Sequence, residues 1–424
     1  MGHLTAEVIA VGDEIVAGLI TEANAAYLSQ QLAGMGIRTV RFTSVADERD
    51  EVRSAVAEAV SRSRLVIATG GLGPTVDDLT RHGIADALGC ALVGSAEAEA
   101  CVREHLARHG IDDPSPSQMT QALVPEGAHV LYNRLGSAAG FVCRVGGGLL
   151  AALPGVPSEM RAMTVEKLLP VVRDAFPGLP AVCVRVVGVA RRPESHVNEA
   201  VRDLMEARGG PRVGVMCSPG VVRIVVTASA GSVEEAEGGA ERVVAEITSR
   251  LGDSVFTTCG ASLAEALGER LGASGLTVAL AESCTGGLIG QLVTSVPGSS
   301  NWFRGGVVAY SNEAKRGLLG VGADLIESEG AVSGPVAEAM ALGARSAFGS
   351  DYAVAVTGIA GPGGGTPDKP VGLVYTALAG PGEKASGAPP AVASDQWRFS
   401  GTRETIRLRA AAYALDICRL AVVT

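Results

Sequence analysis

A short polar segment between two apolar runs contains the residues best suited to nucleophilic chemistry. Residues 277–289 read TVALAESCTGGLI, so Ser283 and Cys284 stand side by side where an apolar strand would end. Either side chain could attack a carbonyl carbon if a neighbouring base removed its proton. Consecutive residues in an extended turn cannot both face the same cleft. We favour Ser283 as the nucleophile and keep Cys284 as the alternative.

No histidine within the same domain can act as the base, because residues 258–424 contain none. The chain has only four lysines among 35 basic residues, and lysine, unlike arginine, can act as a base. Lys315 follows the run VVAYS, which we interpret as a strand that ends at Ser311, with Asn312 as the cap of the next helix. Ends of neighbouring strands lie side by side in an α/β sheet, which would bring Ser283 and Lys315 together.

The surroundings of this pair are predicted to support catalysis. Burial and a helix N-terminus would both lower the pKa of Lys315 toward that of a useful base. We expect the backbone N–H groups of Thr285, Gly286 and Gly287 to be unpaired and to face the site, where each could stabilise an oxyanion by about 3 kcal/mol. The simpler alternative is that ESCTGG only caps a helix and that Lys315 is a surface charge.

Two further segments of the C-terminal region could contact a phosphate or a ribose. The glycine-rich stretch TGIAGPGGG follows a buried strand and includes Thr357, Gly358 and Gly361. Arg403 and Arg407 stand one turn apart at the start of the last predicted helix and could clamp a phosphate. A mobile loop and ordinary surface arginines are the competing interpretations.

A second group of candidate residues lies near the N-terminus, in ATGGLGPTVDDLTR. A strand there ends in a turn, which is followed by paired aspartates. Such a turn can hold a pyrophosphate through its N–H groups while carboxylates hold a divalent cation. Acidic residues also favour a helix start without any ligand, which is the alternative. The turn contains Gly70, Gly71, Gly73 and Thr75, and the aspartates are Asp77 and Asp78.

Alternating strands and helices would position both groups. Short β-rich runs between amphipathic helices predict an α/β fold, with parallel sheets that carry helices on both faces. We divide the chain into an N-terminal domain at residues 1–178, a small α+β connector or dimerisation module at 181–257, and a C-terminal α/β domain at 258–424. The Pro-rich segment 381–394 is predicted to be an exposed loop.

Composition excludes several classes of protein. The chain of 424 residues has a formal net charge of −10 and no basic stripe, which argues against nucleic acid as a main partner. Its eight cysteines form no CxxC pair, so neither a zinc site nor a disulfide framework is indicated. We find no signal peptide and no run near the ~20 apolar residues of a membrane span. We therefore expect a cytoplasmic protein that contacts no membrane.

Together these motifs resemble the CinA family. AESCTGG, GSSNWFRGGVVAYSNEAK, GAVS and TGIAGPGGG followed by KPVG resemble its C-terminal domain, the nicotinamide-nucleotide amidase. The resemblance implies hydrolysis of the carboxamide of nicotinamide mononucleotide to nicotinate mononucleotide and ammonia, without a metal or cofactor. It places the nucleophile on Ser283, the base on Lys315 and a proton relay or orienting group on Tyr310. The residues predicted to contact substrate are Thr285, Gly286, Gly287, Asn312, Thr357, Gly358, Gly361, Arg403 and Arg407.

The N-terminal motifs resemble the molybdopterin-binding-like domain of the same family. GDEI with Asn24, GGLGPTVDD and LPGVPSEM carry this resemblance, whereas NRLGSAAGF departs from the family pattern at Ser137 and Ala139. The resemblance implies either molybdopterin binding or hydrolysis of ADP-ribose with a divalent metal. The residues placed near the metal and phosphates are Asp13, Glu14, Asp77, Asp78 and Glu159.

Three hypotheses follow for the whole chain. The first is a bifunctional salvage enzyme, an amidase that also acts as an ADP-ribose pyrophosphatase. The second is an amidase whose N-terminal domain only binds a molybdopterin-like or other nucleotide ligand. The third is a non-enzymatic accessory protein of competence or DNA damage, which the acidic charge and the paired glycine-rich turns disfavour. The resemblance also implies a homodimer.

Overall fold

The computed structural model describes residues 4–381 and 391–422. The chain divides into two compact units, one with residues 1–183 and 229–236 and the other with residues 184–228 and 237–424. Most of the loop predicted at 381–394 lies outside the described residues. Among the described helices, none is long and apolar enough to cross a membrane.

The N-terminal region is built on a six-stranded sheet. Its strands, with a separate two-stranded pair formed by the fourth and fifth, are β1 Thr5–Val11, β2 Arg38–Val45, β3 Leu65–Thr69, β4 Leu92–Gly94, β5 Leu123–Pro125, β6 His129–Leu131, β7 Gly140–Val145 and β8 Gly148–Leu153. The order in the large sheet is β2-β1-β3-β8-β7-β6. The first four of these strands are parallel, whereas β7 is antiparallel to β8 and β6 is antiparallel to β7.

The parallel sheet predicted for this region is confirmed in its first four strands, and the antiparallel strand β7 extends it at one edge. Only Gly146 and Gly147 separate β7 from β8, and Gly146 has a φ of 55°. So short a connection can join only antiparallel strands, because a parallel pair needs a crossover of a dozen or more residues. Helices and buried apolar clusters cover both faces, as predicted. The helices are α1 Asp13–Val16, α2 Asn24–Ala33, α3 Arg49–Arg62, α4 Thr80–Leu88, α5 Ala96–Arg108, α6 Pro116–Met119, α7 Pro157–Met163 and α8 Leu169–Ala175.

The middle module contains four strands and two helices. The strands are β9 Ala181–Ala190, β10 Arg212–Ser218, β11 Val221–Ala230 and β12 Val255–Thr257, and the helices are α9 Glu194–Glu206 and α10 Val233–Leu251. The sheet order is β10-β11-β9-β12, which is the small α+β arrangement that the sequence predicts.

The C-terminal region forms a five-stranded sheet with the order β14-β13-β15-β16-β17. Its elements are α11 Leu263–Ser274, β13 Val278–Glu282, α12 Leu288–Thr294, β14 Phe303–Val308, α13 Asn312–Leu319, α14 Ala323–Glu329, α15 Gly334–Phe348, β15 Tyr352–Gly358, β16 Leu373–Ala379, β17 Val392–Arg398 and α16 Arg403–Ala421. Strands β14, β13 and β15 are parallel, β16 is antiparallel to β15, and β17 is antiparallel to β16.

Two apolar clusters cover the faces of this sheet. One contains residues of α11, α12 and α16, and the other contains residues of α13, α14 and α15. Glu282, at the end of β13, is paired in register with Val308 on one side and Val356 on the other. The carboxyl ends of three parallel strands therefore lie at one edge, and the segments that follow them can share a site.

Candidate active site

Ser283 and Lys315 meet at the carboxyl edge of the C-terminal sheet. Ser283 directly follows β13, and its backbone N–H donates to the carbonyl of Val356 at 2.9 Å. The Nζ of Lys315, from α13, lies 3.2 Å from Ser283 Oγ and 3.0 Å from the carbonyl oxygen of Ala309. The two side chains are separated by 32 residues in sequence, and the contact predicted between them is confirmed.

The lysine is held in a nearly water-free position. Lys315 is 2% exposed and Ser283 is 8% exposed. Burial lowers the pKa of the Lys315 ammonium from its ordinary value of 10.5, because an apolar setting disfavours the charged form. No carboxylate of the described residues forms an ion pair with Lys315. A larger share of the amine is therefore neutral, and able to accept a proton, than in a solvated lysine.

One detail of the predicted local structure is wrong. The strand β14 ends at Val308, three residues before Ser311, and Ser311 rather than Asn312 caps α13. The hydroxyl of Ser311 accepts from the N–H of Ala314 at 3.1 Å, as serine commonly does at an N-cap. Asn312 is exposed and is the first residue of the helix, where its side chain is open to solvent.

Cys284 is placed as a core residue. Its side chain is 7% exposed and belongs to the apolar cluster under α11, α12 and α16. Burial raises the pKa of the Cys284 thiol to about 12, so the nucleophilic thiolate is scarce at neutral pH. These features favour Ser283 over Cys284 as the attacking group.

The turn after Ser283 is fixed by a buried carboxylate that the sequence interpretation leaves without a role. Glu282 is 3% exposed, and its two oxygens accept from the N–H groups of Gly287, Ile289 and Gly290 at 2.8–3.1 Å. A carboxylate at this place satisfies unpaired N–H groups at the start of α12 and interacts favourably with the helix dipole. An acidic residue shortly before a Gly-Gly helix start is the sequence signal that could have identified it.

This arrangement corrects the predicted oxyanion donors. The N–H of Gly287 is bound by Glu282, and the N–H of Gly286 donates to the carbonyl of Ser283 at 3.1 Å. Among the described hydrogen bonds, the N–H groups of Cys284 and Thr285 donate to no other residue. The buried hydroxyl of Thr285 also lacks a partner in the described part of the chain. Donors for an oxyanion are thus available at residues 284 and 285, and not at 286 and 287.

Two arginines of α16 approach the same turn. Arg407 donates to the carbonyl of Thr285 from Nη2 at 2.6 Å and from Nε at 3.2 Å. Arg403 donates to the carbonyl of Gly361 at 2.7 Å and to the hydroxyl of Tyr310 at 2.9 Å. Tyr310 is 61% exposed, and its hydroxyl forms no hydrogen bond with Ser283 or Lys315 among the described contacts. Each guanidinium keeps further N–H groups for a ligand.

The glycine-rich segment contributes mainly to structure in the described contacts. The hydroxyl of Thr357 is buried and donates to the carbonyl of Ala331 at 2.8 Å. Gly358 pairs with Val374 in the sheet, and a Cβ there would lie 2.7 Å from that valine side chain. Gly361 is joined to Arg403 through its carbonyl oxygen. The loop is therefore tied to both the sheet and α16.

The N-terminal turn is organised by Asp78. One carboxylate oxygen accepts from the N–H of Gly73 at 2.7 Å, and the other accepts from the N–H and hydroxyl of Thr75. Arg81, which is 2% exposed, donates to the carbonyls of Leu72 and Gly73 and thereby stabilises the turn. Asp78 therefore stabilises the loop through these hydrogen bonds. This structural role differs from the role of metal ligand that the sequence predicts.

Close backbone packing explains two of the glycines in this turn. A Cβ on Gly70 would lie 2.1 Å from the carbonyl oxygen of Val11, and one on Gly71 would lie 2.2 Å from the hydroxyl of Thr80. Both glycines also have positive φ, at 105° and 61°. Only glycine fits these two positions without a shift of the backbone.

An acidic cavity of about 290 Å³ lies beside this turn. Asn24 is 7% exposed and donates to the carbonyl of Gly155 at 2.7 Å, and its Oδ1 has no partner among the described residues. Asp47, which the sequence interpretation missed, lines the same cavity and accepts from the N–H of Asp13 at 2.9 Å. Burial and the charges of nearby carboxylates raise the pKa of Asp47, and these carboxylates are Asp13, Glu14 and Asp77.

Glu159 lies in an adjoining cavity of about 490 Å³ and accepts from the amide of Asn133 at 2.7 Å. Ser137, one of the departures from the family pattern, donates to Gln121 at 2.9 Å, and Ala139 is buried. Among the described residues, no three His, Cys, Asp or Glu side chains stand ready to hold a metal ion. The five predicted metal residues are therefore not gathered into one preformed site.

Comparison with known proteins identifies a family for each region. The family model of the CinA C-terminal domain matches residues 260–422, the probable molybdopterin binding domain matches 7–174, and the damage-inducible protein CinA KH domain matches 184–257. Many KH modules grip nucleic acid with a Gly-x-x-Gly loop. Residues 184–257 contain no Gly-x-x-Gly sequence.

Relatives match along nearly the whole chain. A CinA-like protein of Anaeromyxobacter dehalogenans is 40% identical over 98% of this chain and 99% of its own. A putative competence-damage inducible protein of Moorella thermoacetica is 41% identical over 97% of each chain. The solved competence/damage inducible protein CihA of Agrobacterium tumefaciens is 40% identical, covers 39% of this chain and 99% of its own, and has a TM-score of 0.35. With full-length matches at this level of identity, the chain belongs to the CinA family.

Proposed function

We propose that the C-terminal domain hydrolyses the carboxamide of nicotinamide mononucleotide to nicotinate mononucleotide and ammonia. The observation that carries the proposal is the 3.2 Å contact between Lys315 Nζ and Ser283 Oγ, both buried at the carboxyl edge of the sheet. A buried lysine beside a serine is a general base next to a nucleophile. Membership of the CinA family and the motifs around both residues support the same assignment.

In the first half of the reaction, neutral Lys315 takes the proton of the Ser283 hydroxyl while Oγ attacks the carboxamide carbon. The negative charge moves to the amide oxygen, where the free N–H groups of Cys284 and Thr285 can stabilise it. The carbon–nitrogen bond then breaks as Lys315 returns the proton to the departing nitrogen. Ammonia leaves, and the acyl group remains as an ester of Ser283.

In the second half, water replaces ammonia. Lys315 takes a proton from the water as its oxygen attacks the ester carbon, and the ester bond to Ser283 Oγ breaks. The lysine returns the proton to the serine oxygen, so both side chains recover their starting forms. The product is the carboxylic acid, which ionises in water.

The phosphate of the substrate is assigned to the arginines of α16. Arg403 and Arg407 are both held by backbone carbonyls near the Ser–Lys pair, at Gly361 and Thr285. Fixed guanidinium groups bind phosphate with less loss of side-chain entropy than free ones. Tyr310 and Asn312, which are exposed at the same edge, are assigned to the sugar and ring of the substrate.

The test is ammonia release from nicotinamide mononucleotide by the wild type and by Ser283→Ala, Lys315→Ala and Cys284→Ala, all in EDTA. We expect the first two variants to lose at least ~10³-fold in kcat and Cys284→Ala to keep most activity. A folded wild-type protein that releases no ammonia would rule out this substrate and favour the accessory-protein hypothesis. Loss of activity only in Cys284→Ala would transfer the nucleophile to the thiol.

A second activity, hydrolysis of ADP-ribose by the N-terminal domain, is favoured by the acidic cavity. Burial, and then the charges of nearby carboxylates, raise the pKa of Asp47, and the Oδ1 of Asn24, which has no partner among the described residues, adds a neutral oxygen ligand. Glu14, Asp47 and Asp77 line this cavity without forming a preformed set of three ligands among the described residues, so they would have to draw together to bind a divalent cation. Such a cation would neutralise charge on a pyrophosphate, while the N–H group of Gly71 would bind one of its oxygens.

Release of AMP from ADP-ribose tests this second activity. We expect hydrolysis with Mg²⁺ or Mn²⁺, none in EDTA, and a loss of at least ~10²-fold in Asp47→Asn. Asp112→Asn, an exposed carboxylate elsewhere in the same domain, is the matched control. Wild-type protein that binds ADP-ribose without cleaving it would favour the hypothesis of a binding module.

A further inference from the structure

A second cavity in the C-terminal unit combines basic and aromatic side chains. Its volume is about 320 Å³, and it lies where the middle module packs against β17 and α16. None of the residues assigned to the amidase lines it. Its walls include Arg192 of the middle module, Trp397 and Arg398 of β17, and Arg409 and Tyr413 of α16.

The cavity carries an excess of positive charge that is already oriented. Arg192 donates from Nε to the hydroxyl of Ser254 at 2.8 Å, and Arg409 donates to the carbonyl of Ser400 at 2.9 Å. Arg398 follows Trp397 in β17, so its side chain starts from the opposite face of the strand and its guanidinium is not part of this wall. The single carboxylate in the lining is Glu194. Two hydrogen-bonded guanidinium groups against one carboxylate suit an anion with several oxygens.

An aromatic wall stands next to these charges. The Tyr413 ring packs edge-to-face against Trp397, with ring centroids 4.7 Å apart, and against Phe399 at 5.0 Å. The indole N–H donates to the hydroxyl of Thr376 at 2.9 Å, which fixes the orientation of Trp397. Both Trp397 and Tyr413 remain partly exposed. Ordered aromatic rings beside arginines are suited to a planar base that also carries a phosphate.

A buried ion cluster holds the basic wall in place. Arg191, next to Arg192, has a left-handed φ of 53° and donates to Asp416 at 2.7 Å. Asp416 is fully buried on α16 and also accepts from Arg419 at 2.7 Å. A non-glycine residue in this conformation persists only where its surroundings hold it there. The segment ARRP thus directs Arg192 into the cavity.

The module and α16 also touch directly on the other side of the cavity. Gly220, in the turn between β10 and β11, lies so close to α16 that a Cβ would come within 2.6 Å of the Ala412 side chain. Cys217, in the same lining, has a thiol whose pKa is raised by burial and by the neighbouring Glu194 carboxylate. The thiol stays neutral, so it does not reduce the positive charge of the site.

We propose that this cavity is a binding site for a mononucleotide, with the phosphate on Arg192 and Arg409 and the base against Trp397 and Tyr413. The volume is at the lower end of the ~300–1,000 Å³ of small-molecule sites, which fits one nucleotide better than a dinucleotide. The proposal goes beyond the amidase and pyrophosphatase activities and does not depend on either of them.

The chain offers an internal probe for the test, because it has only two tryptophans. Trp302 is 5% exposed in the core, so Trp302→Phe leaves Trp397 as the single emitter. We would titrate this full-length variant with AMP and, separately, with adenosine and with inorganic phosphate, while recording tryptophan fluorescence. Arg192→Gln and Arg409→Gln would be added to the same background. Arg304→Gln, an exposed arginine of β14 outside the cavity, is the matched control.

We expect AMP to change the emission in a saturable way and to bind more tightly than adenosine or phosphate. Each of Arg192→Gln and Arg409→Gln should weaken AMP binding by about tenfold, and Arg304→Gln should leave the Kd of AMP unchanged. Equal Kd values in all three arginine variants, or equal affinity for AMP and phosphate, would overturn the proposal. So would the absence of any fluorescence change in folded protein, verified by circular dichroism.

Arg407→Gln separates this cavity from the amidase site. A fluorescence titration that is unchanged in Arg407→Gln supports binding at the new site. A titration that is lost in Arg407→Gln and kept in Arg192→Gln would place the nucleotide beside Ser283 and overturn the proposal. Ammonia release from nicotinamide mononucleotide is measured independently, so failure of one assignment is distinguishable from failure of the other.

Discussion

Folding destabilises the charged form of the Lys315 side chain. Its side chain is 2% exposed, and its described partners are a hydroxyl and a carbonyl oxygen rather than a carboxylate. The folded state therefore binds the lysine proton less tightly than the unfolded chain does. This cost is present at neutral pH and disappears as the pH rises through the lowered pKa toward 10.5, where the unfolded lysine also loses its proton.

Replacement of this lysine should therefore separate stability from activity. We expect Lys315→Met to abolish ammonia release while raising the free energy of unfolding at pH 7 by about 1 kcal/mol, because methionine fills the space without a buried charge. Urea unfolding at pH 7 and pH 10 measures the effect, and the gain should shrink at the higher pH. A variant that is less stable than wild type at pH 7 would contradict this account of the lysine.

The same pKa shift predicts how activity depends on pH. The base must be neutral, so kcat/KM for ammonia release should rise with pH and level off at a pH below 10.5. Cys284, whose thiol has a pKa of about 12, should not add a second rise between pH 6 and 9. Identical profiles for wild type and Cys284→Ala are the expected result. A rising limb that vanishes in Cys284→Ala would assign the titration to the thiol.

For individual residues, a contact is predictable from sequence where the topology of the sheet alone determines it. Ser283 and Lys315 each follow a parallel strand, so the sheet brings them together whatever the intervening chain does. The oxyanion donors were not predictable in this way, because a glycine pattern does not reveal that the N–H of Gly287 already donates to the carboxylate of Glu282. Asp47 was missed for a similar reason, since its neighbours Asp13 and Asp77 are distant in sequence.

Among the secondary-structure elements, α12 depends on one buried side chain. Glu282 accepts three N–H groups near its start, and hydrogen bonds to a charged acceptor are stronger than neutral ones. We expect Glu282→Gln to lower the free energy of unfolding by about 2 kcal/mol and to reduce kcat more than it changes KM. Glu265→Gln, which alters an exposed capping box on α11, should cost less than about 1 kcal/mol. Equal losses in the two variants would deny Glu282 its special role.

The position of α13, and with it Lys315, depends on a close helix contact. Gly343 of α15 lies so near the end of α13 that a Cβ would stand 2.0 Å from the carbonyl oxygen of Leu319. Gly343→Ala should therefore cost about 2 kcal/mol and lower kcat, because α13 must move. Gly317→Ala, within α13 but with open space around it, should instead be neutral or stabilising by up to about 1 kcal/mol. Thermal unfolding and ammonia release decide between these outcomes.

Element types were predictable along most of the chain, and the errors have local causes. The middle module shows the predicted strands and helices in the predicted order. The antiparallel edge of the N-terminal sheet was not anticipated, since the two-glycine link at 146–147 is the only local sign of a hairpin. The end of β14 was placed too late because VVAYS remains apolar after the backbone pairing stops at Val308.

For the molecule as a whole, we assign amide hydrolysis without a metal to the C-terminal domain and hydrolysis of ADP-ribose with a divalent cation to the N-terminal domain. Ser283→Ala should lose ammonia release and keep metal-dependent release of AMP from ADP-ribose. EDTA should abolish release of AMP and leave ammonia release unchanged, because only the acidic cavity beside Asn24 is assigned a cation. Both products measured from the same preparation give the comparison. Loss of both activities in either condition would mean that the domains do not act independently.

The buried cluster of Arg191, Asp416 and Arg419 also limits how this protein can be recombined. Arg419 donates to the carbonyl of Asp253, so both ends of the middle module are joined to the last helix through charged groups. A chimera that took residues 184–257 from a relative without a cation at position 191 would leave Asp416 with one partner instead of two. Such domain grafts are expected to need the matching C-terminal helix as well, and the two segments are expected to evolve as a pair.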